Sequence, residues 1–483
     1  MRSRPPQDRP SPRALLCGLA CVALLGGCAT PSSPTSSQRS AVSLPSTFDG
    51  RLPGPARPAS APLTPAWWTS FNDPTLDHLI SHALEANETL KIADARLRQA
   101  QAEETAARAG PKPSVNAVAQ YQRQHLPPND RNKDPLVSQY AITGFEASWD
   151  ADLFGRVRNL AAAAHADVQA ASAARDNASL AVASELASAY FQFRGDQSAL
   201  AQARRARELQ SSKLPWIQRR ISAGEANRTD LAEATLRLDS QDADLADLEQ
   251  RSAHTLHRLS VLAAEPTETL RTALAQPARL DAEPESPAHA SPAALLRHRA
   301  DIRQAERELV AAHAIDQASR ADLFPRLTFN GQLSFFAFGW GLGPTLQWDL
   351  FDRSRVKARE ARAGAQVDEA FARYQRTVSE AVAQVEDALS DLKTARARRD
   401  SLKSAAAEAA KLAAYTRRRA QAGLANRIDI ADAEISEART RLALDSQEAL
   451  VRQAWVGLFR ALGGGWSDDS ARTVNAPTAS SGR

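Results

Sequence analysis

Few residues of this 483-residue chain have the types and spacing that catalysis or metal binding would need. The nine histidines are dispersed, and His78 and His82, four residues apart on one predicted helix, have no third candidate ligand nearby. The sequence contains no phosphate loop, no nucleophile elbow and no catalytic carboxylate pair. We therefore predict that the protein is not an enzyme and that it holds neither a metal ion nor a cofactor.

The three cysteines all lie near the N-terminus, where they indicate processing rather than redox chemistry. Cys17 and Cys21 lie in an apolar stretch that follows four arginines, a pattern typical of a signal peptide over residues 1–27. That stretch ends in Leu-Gly-Gly before Cys28, which resembles the bacterial lipobox. We expect Cys28 to become the first residue and to carry a diacylglycerol and an acyl chain, and we exclude a disulfide framework.

The charge of the chain gives no reason to expect a nucleic acid partner. The formal net charge is +4, but the predicted signal peptide carries four arginines and one aspartate, so the rest is near +1. No apolar run after Cys28 is long enough for a transmembrane helix. Residues 28–65 are rich in Ser, Pro and Thr and predict an extended tether, and we expect 467–483 to be a disordered tail.

An internal repeat is the clearest sign of how the chain is organised. The segment 223–230, Ala-Gly-Glu-Ala-Asn-Arg-Thr-Asp, returns 199 residues later as 422–429 with six of eight positions identical. Trp149 and Trp348 are separated by the same number of residues. The sequence therefore predicts two copies of one unit. The predicted ranges are 66–264 for the first copy, 265–294 for a proline-rich connector and 295–466 for the second copy.

Each copy is predicted to contain a helix, a β-hairpin and a long helical hairpin. Apolar and polar residues alternate, most clearly at 327–335, as a barrel strand between lipid and water requires, although strands of a soluble sandwich would alternate too. Ala-rich helical stretches follow, the second of them roughly 100 Å long, and the glycine of the repeated segment turns each one back. We expect Pro215 to kink or interrupt the first. The predicted ranges are 113–154 and 325–351 for the β-hairpins, and 155–264 and 353–462 for the helical hairpins.

Several motifs in the correct order resemble those of TolC-like outer-membrane efflux proteins. They are the opening Trp-Trp-x-x-Phe-x-Asp-Pro-x-Leu-x-x-Leu-Ile at 67–80, the segment Leu-Leu-x-x-Arg-Ala-Asp-Ile-Arg-x-Ala-Glu at 295–306, and Phe-Pro at 324–325. The closing Ala-Leu-Gly-Gly-Gly-Trp at 461–466 is similar to that of the lipoprotein, NodT/OprM-like branch. The likeness spans about residues 66–466.

The resemblance implies a mixed α and β fold. Three identical chains would each give four strands to one transmembrane β-barrel, continued by a periplasmic barrel of coiled-coil helices. Physical reasoning agrees with a homotrimer, because four strands cannot close a barrel or remove their own edges. The trimer would lie in the outer membrane, anchored by lipid, and extend into the periplasm.

The implied function is that of a passive exit duct in a tripartite efflux system, carrying drugs, toxic compounds or metals. The implied partners are a periplasmic adaptor, an inner-membrane pump of the RND type and outer-membrane lipid. Two alternatives are an exit duct for type I protein secretion and a periplasmic adaptor. An adaptor has one helical hairpin, so two hairpins that each follow a pair of alternating strands argue against it.

The resemblance also implies which residues serve the channel. Asp429 and Asp432 match aspartates of the periplasmic constriction, with Asp230 and Glu233 as their counterparts in the first copy. Threefold rings of such carboxylates would attract cations and raise each other's pKa. The alternative is that Asp230 and Asp429 cap the returning helices.

The remaining candidate sites are the helix turns and two tryptophans. The turns of the two repeated segments are expected to meet the adaptor. Their candidate residues are Gly224, Asn227, Arg228, Gly423, Asn426 and Arg427. Trp149 and Trp348 close their predicted strands, where an aromatic girdle would lie at the membrane interface, and the alternative is that both are ordinary core tryptophans.

Overall fold

The computed structural model describes residues 66–126, 136–276, 283–284, 299–335 and 338–464. The predicted signal peptide, Cys28, the tether and the tail lie outside these ranges. Most of the described residues are helical, and the strands form one antiparallel sheet in the order β1-β2-β3-β4. Over the described ranges, no helix has both the length and the apolar character that a membrane-crossing helix needs.

The same order of elements occurs in both halves of the chain: helix, strand pair, long helix and returning helix. The helices are α1 (Pro74–Ala86), α2 (Glu88–Ala109), α3 (Arg156–Ser222), α4 (Arg228–Ala263), α5 (Thr267–Ala273), α6 (Ala300–Ala321), α7 (Arg353–Gln421) and α8 (Arg427–Ala461). The strands are β1 (Ser114–Leu126), β2 (Leu136–Asp150), β3 (Arg326–Ser334) and β4 (Gly339–Gln347). A 3₁₀ turn, Trp67–Phe71, precedes α1.

The long helices α3 and α7 contain 67 and 69 residues, so each extends roughly 100 Å. Helix α4 packs along α3, and α8 packs along both α3 and α7. The expected interruption at Pro215 is wrong, because α3 continues through it as one helix. Its neighbours Lys213 and Ile217 are buried, and their packing offsets a local cost of about 3 kcal/mol.

The main apolar core lies where the 3₁₀ turn and α1 meet α3 and α8. Trp67 stacks on Phe459 with ring centroids 5.3 Å apart. The hydroxyl of buried Tyr190 donates to Oδ2 of Asp73 at 2.5 Å, while Oδ1 of Asp73 caps the first turn of α1. Burial, followed by the hydrogen bond to Asp73, raises the pKa of Tyr190 far above its ordinary value. Tyr190 therefore stays a neutral donor that ties α1 to α3.

Two described parts of the predicted connector are held by arginine side chains. Buried Arg194 on α3 donates to the carbonyl oxygens of Leu274 at 3.1 Å and of Gln276 at 2.7 Å. In the second described part, Glu283 accepts hydrogen bonds from Arg396 and Arg399 on α7. Burial opposes ionisation of Glu283, but these two arginines outweigh it and lower its pKa. Residues 274–276 are thus held on α3, and Glu283 is held on α7.

Candidate functional site

The sheet has one apolar and one polar face, and no helix of the described part of the chain covers either. Phe145, Leu333 and Trp340 are paired across three strands and lie on the same face. The exposed apolar residues of that face are Val115, Tyr121, Phe145, Trp149, Phe329, Trp340, Leu342 and Leu346. A continuous apolar face of this kind on a sheet is typical of contact with lipid or with another protein.

The opposite face carries side chains that hydrogen-bond across the strands. The hydroxyl of Ser148 on β2 donates to Oδ1 of Asn330 on β3 at 3.0 Å. The amide of Asn330 donates in turn to the hydroxyl of Thr345 on β4 at 3.0 Å, and the hydroxyl of Ser114 on β1 donates to the Ser148 carbonyl at 3.1 Å. All four strands therefore contribute to a polar surface that suits contact with water.

Trp149 and Trp348 occupy equivalent places where strands meet helices. The indole N–H of Trp149 donates to the carbonyl of Pro111 at 3.0 Å, just before β1. The indole N–H of Trp348 donates to the carbonyl of Leu323 at 3.2 Å, just before β3. Both rings are exposed, and Trp149 stacks on Phe329. An exposed ring with a satisfied N–H is what a membrane interface favours.

The two turns at the far ends of the long helices have the same backbone geometry. Gly224 and Gly423 adopt φ of +78° and +76°, a left-handed conformation that ends a helix readily only at glycine. The amide of Glu225 donates to the carbonyl of Arg220 at 2.8 Å. At the second turn the amide of Leu424 makes the same bond, also 2.8 Å long, to the carbonyl of Arg419.

Each returning helix then begins with a capping box. The Asn227 side chain accepts from the Asp230 amide at 2.9 Å, and the Asp230 carboxylate accepts from the Asn227 amide at 2.9 Å. Asn426 and Asp429 repeat both bonds at 3.0 and 2.8 Å. The carboxylates of Asp230 and Asp429 therefore stabilise the N-termini of α4 and α8, as the capping alternative expects.

The other two candidate constriction residues have unequal surroundings. Asp432 on α8 accepts from the ammonium of Lys213 on α3 at 2.5 Å, and only 5% of the Lys213 side chain is exposed. Glu233 on α4 is exposed and, among the described residues, pairs with Arg237 of its own helix at 3.8 Å. Sequence reasoning missed Lys213, because nothing in the sequence pairs it with a residue more than 200 positions later.

A second unforeseen contact lies beside the turns. The guanidinium of Arg427, a candidate docking residue, lies 4.4 Å from the centroid of the Trp216 ring on α3. Arg219 lies 4.5 Å from the same ring. Arg228, the counterpart of Arg427 in the first copy, has no side-chain partner among the described residues of its own chain. Arg427 is thus held against α3 by a cation–π contact, whereas Arg228 is free to meet another molecule.

No group of three potential ligand side chains lies close enough to hold a metal ion anywhere in the described ranges. The features that remain are the two-faced sheet and the two long helical hairpins. Together they suit a surface along which molecules pass, with lipid on one side of the sheet and water on the other.

Comparison with known proteins decides the family. The family model described as "Outer membrane efflux protein" matches residues 79–265 and 292–464, which is most of the chain. The chain belongs to the outer membrane efflux protein family. The resemblance indicated by the opening and closing motifs is thereby confirmed.

Relatives of this efflux protein cover most of its length. The toluene efflux pump outer membrane protein TtgC of Pseudomonas putida is 28% identical over 490 aligned residues, covering 95% of this chain and 97% of the relative. Nodulation protein T of Rhizobium leguminosarum is 30% identical, with 79% and 81% covered. The solved outer-membrane channel OprN superposes with a TM-score of 0.78 at 29% identity, covering 87% of this chain and 98% of OprN. The chain is therefore similar to an efflux pump outer membrane protein in sequence and to an outer-membrane channel in both sequence and fold.

Proposed function

We propose that this efflux protein is the passive outer-membrane duct of a tripartite pump. The observation that carries the proposal is the family match over most of the chain, on a molecule whose sheet has an apolar and a polar face. The efflux family consists of channel proteins rather than enzymes, so the energy for transport would come from the inner-membrane pump. Transported molecules would be small: drugs, toxic compounds or metals.

The proposed assembly is a homotrimer with one shared barrel of twelve strands. Strand β1 and strand β4 are the two edges of the sheet, and edge strands left unpaired invite pairing with another chain. The exposed apolar face would contact outer-membrane lipid, and the lipid chains on Cys28 would add a second anchor. The long hairpins, which we infer to be two copies of a duplicated unit, would form the periplasmic tunnel.

The proposed partners meet the protein at its helix turns. A periplasmic adaptor would contact the turns that contain Gly224 and Gly423, and an RND-type pump in the inner membrane would deliver the substrate. Two relatives named as outer membrane proteins of a toluene and of an antibiotic efflux pump support a pump as the partner. No observation favours protein secretion as the alternative duty.

Substitution of Asp429 and Asp432 tests this proposal. If the three copies form a constriction there, Asp429→Asn with Asp432→Asn should raise single-channel conductance in reconstituted bilayers, because fewer inward charges oppose opening. The corresponding change at the first turn, Asp230→Asn with Glu233→Gln, tests its two constriction candidates in the same way. Unchanged conductance would leave Asp429 as a helix cap and Asp432 as the partner of Lys213.

The assembly itself is tested on outer-membrane fractions extracted with detergent. Semi-native electrophoresis should show a trimer that boiling converts to monomer, and bilayers that receive the purified trimer should conduct ions. A monomer that leaves the bilayers silent would refute the channel, and the helical hairpins would then fit a periplasmic adaptor better.

A further inference from the structure

The sequence Asp-Leu-Phe-x-Arg-x-Arg occurs twice in the chain, at 152–158 and at 349–355. The first copy joins the end of β2 to the start of α3, and the second joins the end of β4 to the start of α7. We call them the first and the second junction. Residues of both junctions, together with the segment between α6 and β3, line a cavity of about 180 Å³.

The first junction is closed on itself by its own side chains. The carboxylate of Asp152 accepts from the amides of Val157 at 2.8 Å and of Arg158 at 2.9 Å, and so caps the start of α3. The guanidinium of Arg158 also donates to Asp152, at 3.2 Å. Phe154 stacks on Phe324 with ring centroids 4.7 Å apart. These side chains of the motif therefore have partners within the chain.

The second junction leaves its aspartate without a partner. Asp349, the counterpart of Asp152, makes no hydrogen bond or ion pair with any residue that the structure describes. The first turn of α7 uses a backbone acceptor instead, because the carbonyl of Asp352 accepts from the amides of Arg355 and Val356 at 3.0 and 3.2 Å. The carboxylate of Asp349 is therefore available to a ligand.

Four other charged side chains around the cavity are paired with one another. Asp150 accepts from Arg156 at 3.2 Å and lies 3.8 Å from Arg326. Arg156 also lies 4.0 Å from Asp322. Because two guanidinium groups are shared by two carboxylates, this network carries no net charge and attracts neither cations nor anions strongly.

Arg359 on α7 is the cavity's uncompensated positive charge. It lines the cavity together with Asp349, and both side chains are exposed. Over the described ranges Arg359 makes no hydrogen bond or ion pair, with Asp349 or with any other residue. Opposite charges that share a cavity without reaching each other can both be satisfied by one molecule that has an ammonium group and a carboxylate.

The apolar part of the wall and the size of the cavity limit what can lie between these charges. Phe154, Phe324 and Leu327 line the cavity and suit a hydrocarbon segment. An engineered cavity of roughly 150 Å³ holds benzene. A cavity of about 180 Å³ therefore admits a chain of several carbons or a single ring.

The cavity lies at the end of the polar face of the sheet. Side chains an even number of residues apart share one face of a strand, so Asp150 lies on the face of Ser148 and Arg326 lies on the face of Asn330. Both Asp150 and Arg326 line the cavity. In the proposed duct this face meets water, so a solute that leaves the helical tunnel for the barrel would pass the cavity.

We propose that this cavity binds small zwitterions, with the ammonium group at Asp349 and the carboxylate at Arg359. The proposal rests on the duct proposed above and names a class of solute that the duct would bind briefly during passage. Binding should be weak, because a site on a transport path must release its solute as well as accept it.

Ligand-observed NMR on the full-length protein in detergent tests the proposal. The probes are amino acids with the two charges at opposite ends of the chain, from β-alanine through γ-aminobutyric acid to ε-aminocaproic acid. One length should bind most tightly, because Asp349 and Arg359 hold the two charges at one separation. Alkyl amines and alkyl carboxylates of that length should bind about tenfold more weakly or worse.

Two outcomes of this series would overturn the proposal. Equal binding of all lengths would show that the two charges do not act together. A carboxylate that binds as tightly as the amino acid of the same length would make the cavity an anion site at Arg359 alone.

Substitutions at the two charges give a second readout. Asp349→Asn and Arg359→Gln should each weaken binding of the best amino acid about tenfold. Exchange of the charges, Asp349→Arg with Arg359→Asp, should restore binding, because the zwitterion can then bind in the reverse orientation. No recovery after the exchange, or full binding in either single variant, would contradict the proposal.

The matched control for these variants is Arg353→Gln. Arg353 lies on the same helix and has no partner among the described residues, but it does not line the cavity. Its substitution should leave binding unchanged. Since Asp349 and Arg359 are exposed, their variants should keep the trimer, which semi-native electrophoresis checks.

Bilayer conductance separates failure of the site from failure of the duct. A trimer that conducts ions but binds none of the amino acids would overturn the site and leave the duct intact. A protein that binds them at Asp349 and Arg359 but leaves the bilayers silent would support the site and refute the duct.

Discussion

The middle of the chain and its two outer edges are built from similar elements but have different surroundings. In the middle, β2 pairs with β3 and α8 packs on α3. At the edges, β1 and β4 each have one strand neighbour, and α4 and α7 each keep an open face. Ile435 and Leu236 are both large and apolar, yet one is buried and the other open. The difference shows that residue type alone did not decide burial; the presence of a neighbouring element did.

Gly144 and its counterpart Gly343 show the same contrast in the strands. A Cβ atom on Gly144 of β2 would lie 1.8 Å from the carbonyl oxygen of Leu333 on β3. A Cβ atom on Gly343 of β4, 199 residues later, would meet nothing within 4 Å. One glycine is required by close contact inside the chain, and the other stands at an edge whose neighbour is another chain in the proposed barrel.

The largest effect is expected from Gly144→Ala, because its new methyl group must displace the backbone of β3. We expect a loss of about 3 kcal/mol or more, measured as a lower dissociation temperature of the trimer in detergent. Gly331→Ala is the matched control, since its Cβ would lie 3.5 Å from the nearest side-chain atom.

Gly343→Ala tests whether another strand lies against β4 at the edge of the sheet. A loss similar to that of Gly144→Ala would place another strand against β4. An unaffected trimer would indicate that nothing approaches Gly343 closely. If Gly144→Ala itself had no effect, the close contact between β2 and β3 would be wrong.

A smaller effect is expected from Asp432→Ala, at the contact between α3 and α8. This change leaves the buried ammonium of Lys213 without its charged acceptor, which should cost about 1.5–3 kcal/mol. Its counterpart Glu233→Ala removes only an exposed pair, and we expect about 0.5 kcal/mol or less. Thermal unfolding compares the stability of the two variants, and limited proteolysis compares the exposure of their helix turns. Equal losses of stability in the two variants would contradict the different surroundings of Asp432 and Glu233.

The smallest difference is expected between Asp230→Ala and Asp429→Ala. The two capping boxes have matching bonds, so each variant should cost about 1 kcal/mol. Protection of the first turns of α4 and α8 from hydrogen exchange measures both. A clearly larger loss of protection in Asp429→Ala would mean that the contact of α8 with α3, and not the cap alone, stabilises the start of α8.

The local features of the turns could be predicted from the sequence. Gly224 and Gly423 end long Ala-rich stretches, and an asparagine followed three residues later by aspartate is a capping pattern. These features depend on bonds between residues only a few positions apart. The alternation at 327–335 likewise identifies a strand, because each residue's face follows from its place in the strand.

The contacts between distant helices could not be predicted in this way. The pairing of Lys213 with Asp432 depends on α8 lying beside α3, and helix order leaves no periodic signal in the sequence. Continuation of α3 through Pro215 depends on the same packing, which outweighs a local preference. The arginines around Glu283 are also brought together only by the fold.

The shared backbone geometry of the turns at Gly224 and Gly423 affects how many partners can bind. A ring of three chains would present six turns with one backbone shape but two kinds of side chain, with Glu225 in one and Leu424 in the other. An adaptor that contacts only the backbone would find six equal sites, and one that contacts these side chains would find three. Because all six would belong to one ring in the proposed trimer, even weak individual contacts would add up to a long-lived complex.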